Sequence, residues 1–227
     1  MCRGTPADVV VDWNFIPVPS FGNLSRSDVK IATIGLNPAS NEPRLPKLKD
    51  YRKQSRENLT GKNLDDCASR RERYFDCSEE TWHDYFRNFE SLLGRANHHW
   101  SYARNAVHID LVACVTKVRK GLIGDLQWKS LVKNCQPHFL KTVGRLPSGT
   151  FLLLDGADVC DNVLSSGQTI YDSRPEAILL DPQLVGTKGT IVIDSKNFKF
   201  LGWRGSSVSK MNVLQRIDLA FWLRNSL

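Results

Sequence analysis

Two stretches of this sequence put chemically capable side chains at the ends of apolar runs. The first is Ile31-Ala32-Thr33-Ile34-Gly35-Leu36-Asn37-Pro38-Ala39-Ser40. Its opening residues have the pattern of a strand buried on both faces. Gly35 lets the backbone turn tightly or lie against a ligand. Pro38 fixes its own φ and pushes Asn37 towards an extended conformation. The Asn37 amide is then held at the carboxyl end of a buried strand, where open α/β sheets bind ligands. The same ten residues also suit an ordinary Asn-Pro turn. The second stretch is Asn105-Ala106-Val107-His108-Ile109-Asp110-Leu111-Val112-Ala113-Cys114. His108 and Asp110 share one face of that strand by the two-residue period. An imidazole and a carboxylate in an apolar strand are costly unless they are bonded or used. A satisfied structural pair and a catalytic pair both fit.

Basic residues beside aromatics form a second kind of signal. Segment 41–80 is polar and rich in Lys and Arg, includes Arg71 and Arg73, and reaches Tyr74-Phe75. Such a segment can hold a phosphate backbone and stack on bases, or it can be a solvated loop anchored by its two rings. A connection this long without structure of its own is uncommon in a compact domain. The loop Arg204-Gly205-Ser206-Ser207-Val208-Ser209-Lys210 precedes the last helix. A Gly/Ser loop opening a helix can bind phosphate through backbone N–H groups, and it can equally be a capped helix start.

The elements that must position these residues follow from hydrophobic period. Strands are expected at about 29–36, 105–116, 150–154, 177–180 and 190–193. Helices are expected at about 79–94, 125–144, 157–164 and 210–225. Ser78 is the expected N-cap of the first helix, and Gly94 its stop. Pro137 is placed to kink or divide the second. Trp82, Tyr85, Phe86, Phe89 and Leu93 form an aromatic stripe with the character of core. In the last helix Val213, Leu214, Ile217, Phe221 and Leu223 form the apolar stripe. This alternation predicts an α/β fold with a central, mostly parallel sheet and helices on both faces. The 227 residues suit one domain, with 1–28 an N-terminal arm packed on it.

The formal net charge of +7 favours a polyanion partner, nucleic acid first. The six cysteines, Cys2, Cys67, Cys77, Cys114, Cys135 and Cys160, include no C-x-x-C pair and match no zinc spacing. They read as reduced thiols of an intracellular protein, cytoplasmic in a prokaryote. The first residues lack the long apolar core of a signal peptide, and no apolar run is long enough to span a bilayer.

Taken as a set, Gly35-Leu36-Asn37-Pro38-Ala39-Ser40 resembles the first motif of the uracil-DNA glycosylase superfamily. It is most similar to the G-[IM]-N-P-G form of the mismatch-specific and single-strand-selective monofunctional types. The loop Gly202–Ser207 stands where that superfamily carries its second motif, and the His108 strand where it carries a base-reading Asn or His. The likeness in order and spacing runs from about 29 to 225. It implies a three-layer α/β/α fold and a monofunctional DNA glycosylase that flips a uracil or other deaminated base out of DNA and hydrolyses its N-glycosidic bond. It implies a monomer with no metal and no cofactor. Asn37 would position the attacking water and His108 would donate to the base, with Asp110 fixing its tautomer. Gly35, Leu36, Pro38, Ala39 and Ser40 would line the pocket, and Tyr74 or Phe75 would stack on the base. Arg71, Arg73, Arg204, Gly205, Ser206, Ser207 and Lys210 would hold the DNA. The His-Pro-Ser or Asn-Pro-Ser of the second motif is absent, as is the four-cysteine pattern of the iron–sulfur branch. A non-catalytic nucleic-acid-binding protein of the same fold, or a nucleotide or nucleoside hydrolase, are the alternatives.

Overall fold

A computed structural model of the chain describes residues 2–13, 17–36, 61–118, 120–172, 174–178 and 181–227. Eight strands form one mixed sheet: β1 (Ser20–Phe21), β2 (Ile31–Gly35), β3 (Ala106–Asp110), β4 (Phe151–Asp155), β5 (Gln168–Tyr171), β6 (Glu176–Ile178), β7 (Asp181–Ile193) and β8 (Lys196–Arg204). Their order is β1-β3-β2-β4-β8-β7-β5, with β6 also on β7. The four central strands β3, β2, β4 and β8 are parallel, whereas β1 and the β5–β7 group run antiparallel at the two edges. The antiparallel edge was not legible as such. β7 and β8 join through Asp194 and Ser195, both at positive φ, which is the twist a two-residue hairpin needs.

Among the described residues five helices accompany the sheet: α1 (Gly61–Glu72), α2 (Asp84–Ala96), α3 (Asp125–Val143), α4 (Ala157–Leu164) and α5 (Val213–Ser226). The strand period of two sorts the core into two clusters. Ala32, Ile34, Val107, Ile109, Leu152, Leu154, Phe198 and Phe200 pack with Leu131, Cys135 and Phe139 of α3 and Val159, Cys160 and Val163 of α4. Ile31, Ala106, Leu153, Leu201 and Trp203 pack with Phe86, Phe89, Leu92 and Leu93 of α2 and Leu219, Ala220, Trp222 and Leu223 of α5. Each of these fully buried Leu or Phe side chains contributes about 1.5–3 kcal/mol. Segments of the N-terminal arm join both clusters. Val11 bridges Thr116, and Phe21 pairs with His108.

Several expectations are corrected. Part of the segment expected to be irregular, 61–72, is helical. Ser78 precedes only a short 3-10 turn and makes no side-chain cap there. The long helix begins at Asp84 and is capped by His83, whose Nδ1 accepts from the Tyr85 amide at 3.2 Å. It runs past Gly94 to Ala96. Pro137 does not divide α3. The expected stripe of α5 faces outward: Val213, Leu214, Ile217 and Phe221 are exposed, and only Leu223 of that set is buried. Among the described residues no helix is long and apolar enough to cross a membrane.

Candidate active site

Parallel strands deliver their last residues to one end of the sheet. Gly35 ends β2 beside Asp110, which ends β3; Asp155 ends β4 beside Trp203 near the end of β8. Alternation puts Thr33, Gly35, His108, Asp110, Leu153 and Asp155 on the face covered by α2 and α5. The chain leaves β2 towards β3 on one side and leaves β4 towards β8 on the other. β2 and β4 therefore flank a topological switch point, the place where open α/β sheets commonly bind ligands.

A chain of hydrogen bonds runs through this face. The Tyr102 hydroxyl lies 2.5 Å from Thr33 Oγ1, which lies 2.9 Å from His108 Nδ1. His108 Nε2 lies 3.3 Å from Asp110 Oδ1. A carboxylate can only accept, so Nε2 carries the proton. The single Thr33 proton has two acceptors in reach, the Val107 carbonyl at 3.3 Å and His108 Nδ1. Burial raises the Tyr102 phenol well above its ordinary range, which keeps it a neutral donor. Phe21, Tyr85 and Phe86 surround the imidazole ring. The ring is thereby fixed in position.

Gly35 is where the first motif meets this network. A methyl group there would sit 2.7 Å from His108 Cε1, 2.9 Å from His108 Nε2 and 2.9 Å from the Tyr85 hydroxyl. Only a residue without a side chain fits, because the imidazole and the phenol already fill that space. The amides of Leu111 and Val112 donate to the carbonyls of Gly35 and Leu36, so β3 continues to hold the chain as it enters the motif. Leu36 packs by its side chain against the opposite core cluster. Asn37, Pro38, Ala39 and Ser40 lie outside the described residues.

Asp155 ties the late loop to the same end of the sheet. Its carboxylate accepts from the Tyr85 hydroxyl at 3.1 Å, the Ser207 hydroxyl at 2.6 Å and the Val208 amide at 2.9 Å. Burial pushes its carboxyl above the ordinary aspartate range, against the three hydrogen bonds that favour the charged form. Burial likewise raises the Tyr85 phenol well above its usual value. The turn Gly205, at φ 131°, brings Ser207 back towards Asp155.

The sequence expectations divide here. His108 and Asp110 lie beside Gly35, and both His108 nitrogens are within hydrogen-bond distance of protein groups, Thr33 and Asp110. The Ser207 hydroxyl donates to Asp155 at 2.6 Å. Phe75 is 4% exposed and stacks on Tyr102 at 4.3 Å, leaving no face for a base. Tyr74 packs its ring on Phe21 and Phe86, and its hydroxyl accepts from the His83 amide. Phe75 is an anchor of the core, not a stacking platform, whereas Tyr74 is half-buried against the same cluster. Ser206 and Lys210 are exposed in the late loop, and Arg204 pairs with Asp161 at 2.5 Å on the surface. Arg71 and Arg73 stand at the end of α1 and just beyond it. Tyr85 and Asp155 were missed. Asp155 had a readable sign, a carboxylate closing an apolar run as Asp110 does. Tyr85 had none beyond its place in the aromatic stripe.

No family model matches this chain, and no curated protein matches it.

Proposed function

We propose that this chain is a monofunctional DNA glycosylase, with a three-layer fold like that of the uracil-DNA glycosylases, and that it hydrolyses the N-glycosidic bond of uracil or another deaminated base. One observation supports the reading: the start of the first motif, the His108 strand and the late loop come together at one end of the sheet. The first motif begins at Gly35, against His108 of the base-reading strand, and Asp155 binds the loop that stands for the second motif.

In this reading Asp110, not His108, contacts the base. It stands at the strand end, 6% exposed, with His108 donating to its Oδ1. Its Oδ2 offers an acceptor to a ring N–H. Deamination creates such a group: the acceptor nitrogen of cytosine or adenine becomes an N–H in uracil or hypoxanthine. A fixed acceptor therefore favours the deaminated base over its parent. The His108 N–H shares the carboxylate charge, so the site is less repulsive to the anion that leaves. Asn37 would orient the attacking water; a neutral amide suffices for a largely dissociative cleavage. Exposed Ser206, Arg204 and Lys210 would lie along the phosphates.

The test is base release from oligonucleotides carrying uracil, hypoxanthine, xanthine or no lesion, single- and double-stranded, with hot alkali added afterwards. Wild type, Asn37→Ala and Asp110→Asn run together. Alkali-dependent cleavage of a lesion strand, abolished in Asn37→Ala and with altered base preference in Asp110→Asn, is expected. No cleavage of any substrate, with salt-sensitive binding retained, would replace this reading by that of a binding protein.

A further inference from the structure

On the face of the sheet away from the candidate site, three thiols meet. Cys2 opens the N-terminal arm, Cys114 follows β3 by four residues, and Cys135 lies on α3. Cys114 Sγ is 3.9 Å from Cys2 Sγ and 3.8 Å from Cys135 Sγ, and the three sulfurs all lie within 4.8 Å of one another. All three residues are buried among Val, Leu, Ile and Phe. Sequence spacing could not show this, because each sulfur comes from a different element.

We propose that Cys2, Cys114 and Cys135 form a binding site for a single zinc ion. A Zn–S bond of about 2.3 Å in a tetrahedral site sets its thiolates about 3.8 Å apart. The two short sulfur separations match that edge. A polynuclear iron–sulfur cluster carries at most two thiolates on any one iron and sets the others farther off, so three sulfurs all within 4.8 Å of one another suit a single ion better. Soft thiolates also suit cuprous ion. Three thiolates on Cu(I) would leave two negative charges in an apolar core, whereas Zn(II) leaves one, and the smaller buried charge is favoured. Binding releases a proton from each thiol. The fourth position goes to a donor other than these cysteines, such as water. The ion would fasten the arm to α3 and to the segment leaving β3.

The test uses the full chain, stripped by chelator and kept in a non-thiol reductant. Cobalt(II) is titrated in and then displaced by zinc. One cobalt per chain, with thiolate-to-cobalt charge-transfer absorption bleached by zinc, is expected. Cys135→Ser and Cys114→Ala should lose the absorption and the zinc-dependent rise in Tm. Cys77→Ser, whose thiol instead donates to the Tyr74 carbonyl at 3.0 Å, should keep both. Circular dichroism of each metal-free variant confirms that it is folded. Absence of the band in folded wild type, its survival in Cys135→Ser, or iron with acid-labile sulfide in the purified protein would each overturn the proposal.

Discussion

Gly35→Ala is the sharpest probe of the candidate site. The new methyl would lie below 3.0 Å from three atoms, two of them on His108 and one the Tyr85 hydroxyl. Gly35 does not occupy the left-handed region, so alanine brings no backbone strain and the collision is the whole effect. Neither neighbour is the loose end of a flexible chain. His108 is held at both nitrogens and ringed by Phe21, Tyr85 and Phe86, and the Tyr85 hydroxyl is held by Asp155. Overpacking of this kind costs about 1–3 kcal/mol. For a chain of this length that corresponds to a fall in Tm of roughly 2–12 °C. Urea unfolding of wild type, Gly35→Ala, His108→Ala and the double variant closes a thermodynamic cycle. Removing the imidazole gives the methyl most of its room, so the alanine should cost at least about 1 kcal/mol less in the His108→Ala background. A Gly35→Ala protein within about 0.5 kcal/mol of wild type, or a cost unchanged without the imidazole, would refute this packing.

Three further outcomes are expected. A raised Asp155 carboxyl means that the native state binds its proton more readily than the unfolded chain, so this group's contribution grows more favourable as pH falls from neutral towards the ordinary aspartate range. The stability difference between wild type and Asp155→Asn should therefore shift in favour of wild type as pH is lowered across that window, as read by urea unfolding at several pH values; a difference independent of pH would count against it. Phe75→Ala should cost about 3–5 kcal/mol, as for other core phenylalanines; a loss below about 1 kcal/mol with DNA affinity abolished would return that ring to the nucleic-acid surface. Arg204→Ala should lower the salt slope of DNA binding by about one, whereas an unchanged slope would leave Arg204 to its surface pair with Asp161, itself worth about 0–1 kcal/mol.

Much of the parallel centre was legible because buried strands are short apolar runs and each ended on a punctuating residue: Gly35, Asp110 and Asp155. The placing of His108 and Asp110 on one face followed from the pleat alone. Their use did not, because the partners that occupy the imidazole, Thr33 and Asp110, are fixed by register between strands. Tyr85 sits in a stripe of aromatics at helical spacing, and nothing local tells a buried phenol from a core ring. Its partner Asp155 is 70 residues away. The last helix misled for another reason. Apolar residues occupy much of its circumference, so period could not choose between Val213-Leu214-Ile217-Phe221 and the true buried set Leu219-Ala220-Trp222-Leu223. Packing against α2 made that choice. The three thiols were unreadable for the same kind of reason as Tyr85: contact between distant elements leaves no spacing to find.

The order in which the strands pair has a kinetic consequence. β7 and β8 are joined by a two-residue turn, and a hairpin of this kind zips on the microsecond scale. β2 and β4 lie side by side through Ile31 and Phe151, with the whole of β3, α2 and α3 between them along the chain. Closing so long a loop comes late in folding, because its entropy is lost before its contacts form. The site at the switch point is thus expected to be assembled among the last parts of the molecule. Native-state hydrogen exchange would show this as amides of β2 opening more readily than those of the β7–β8 hairpin.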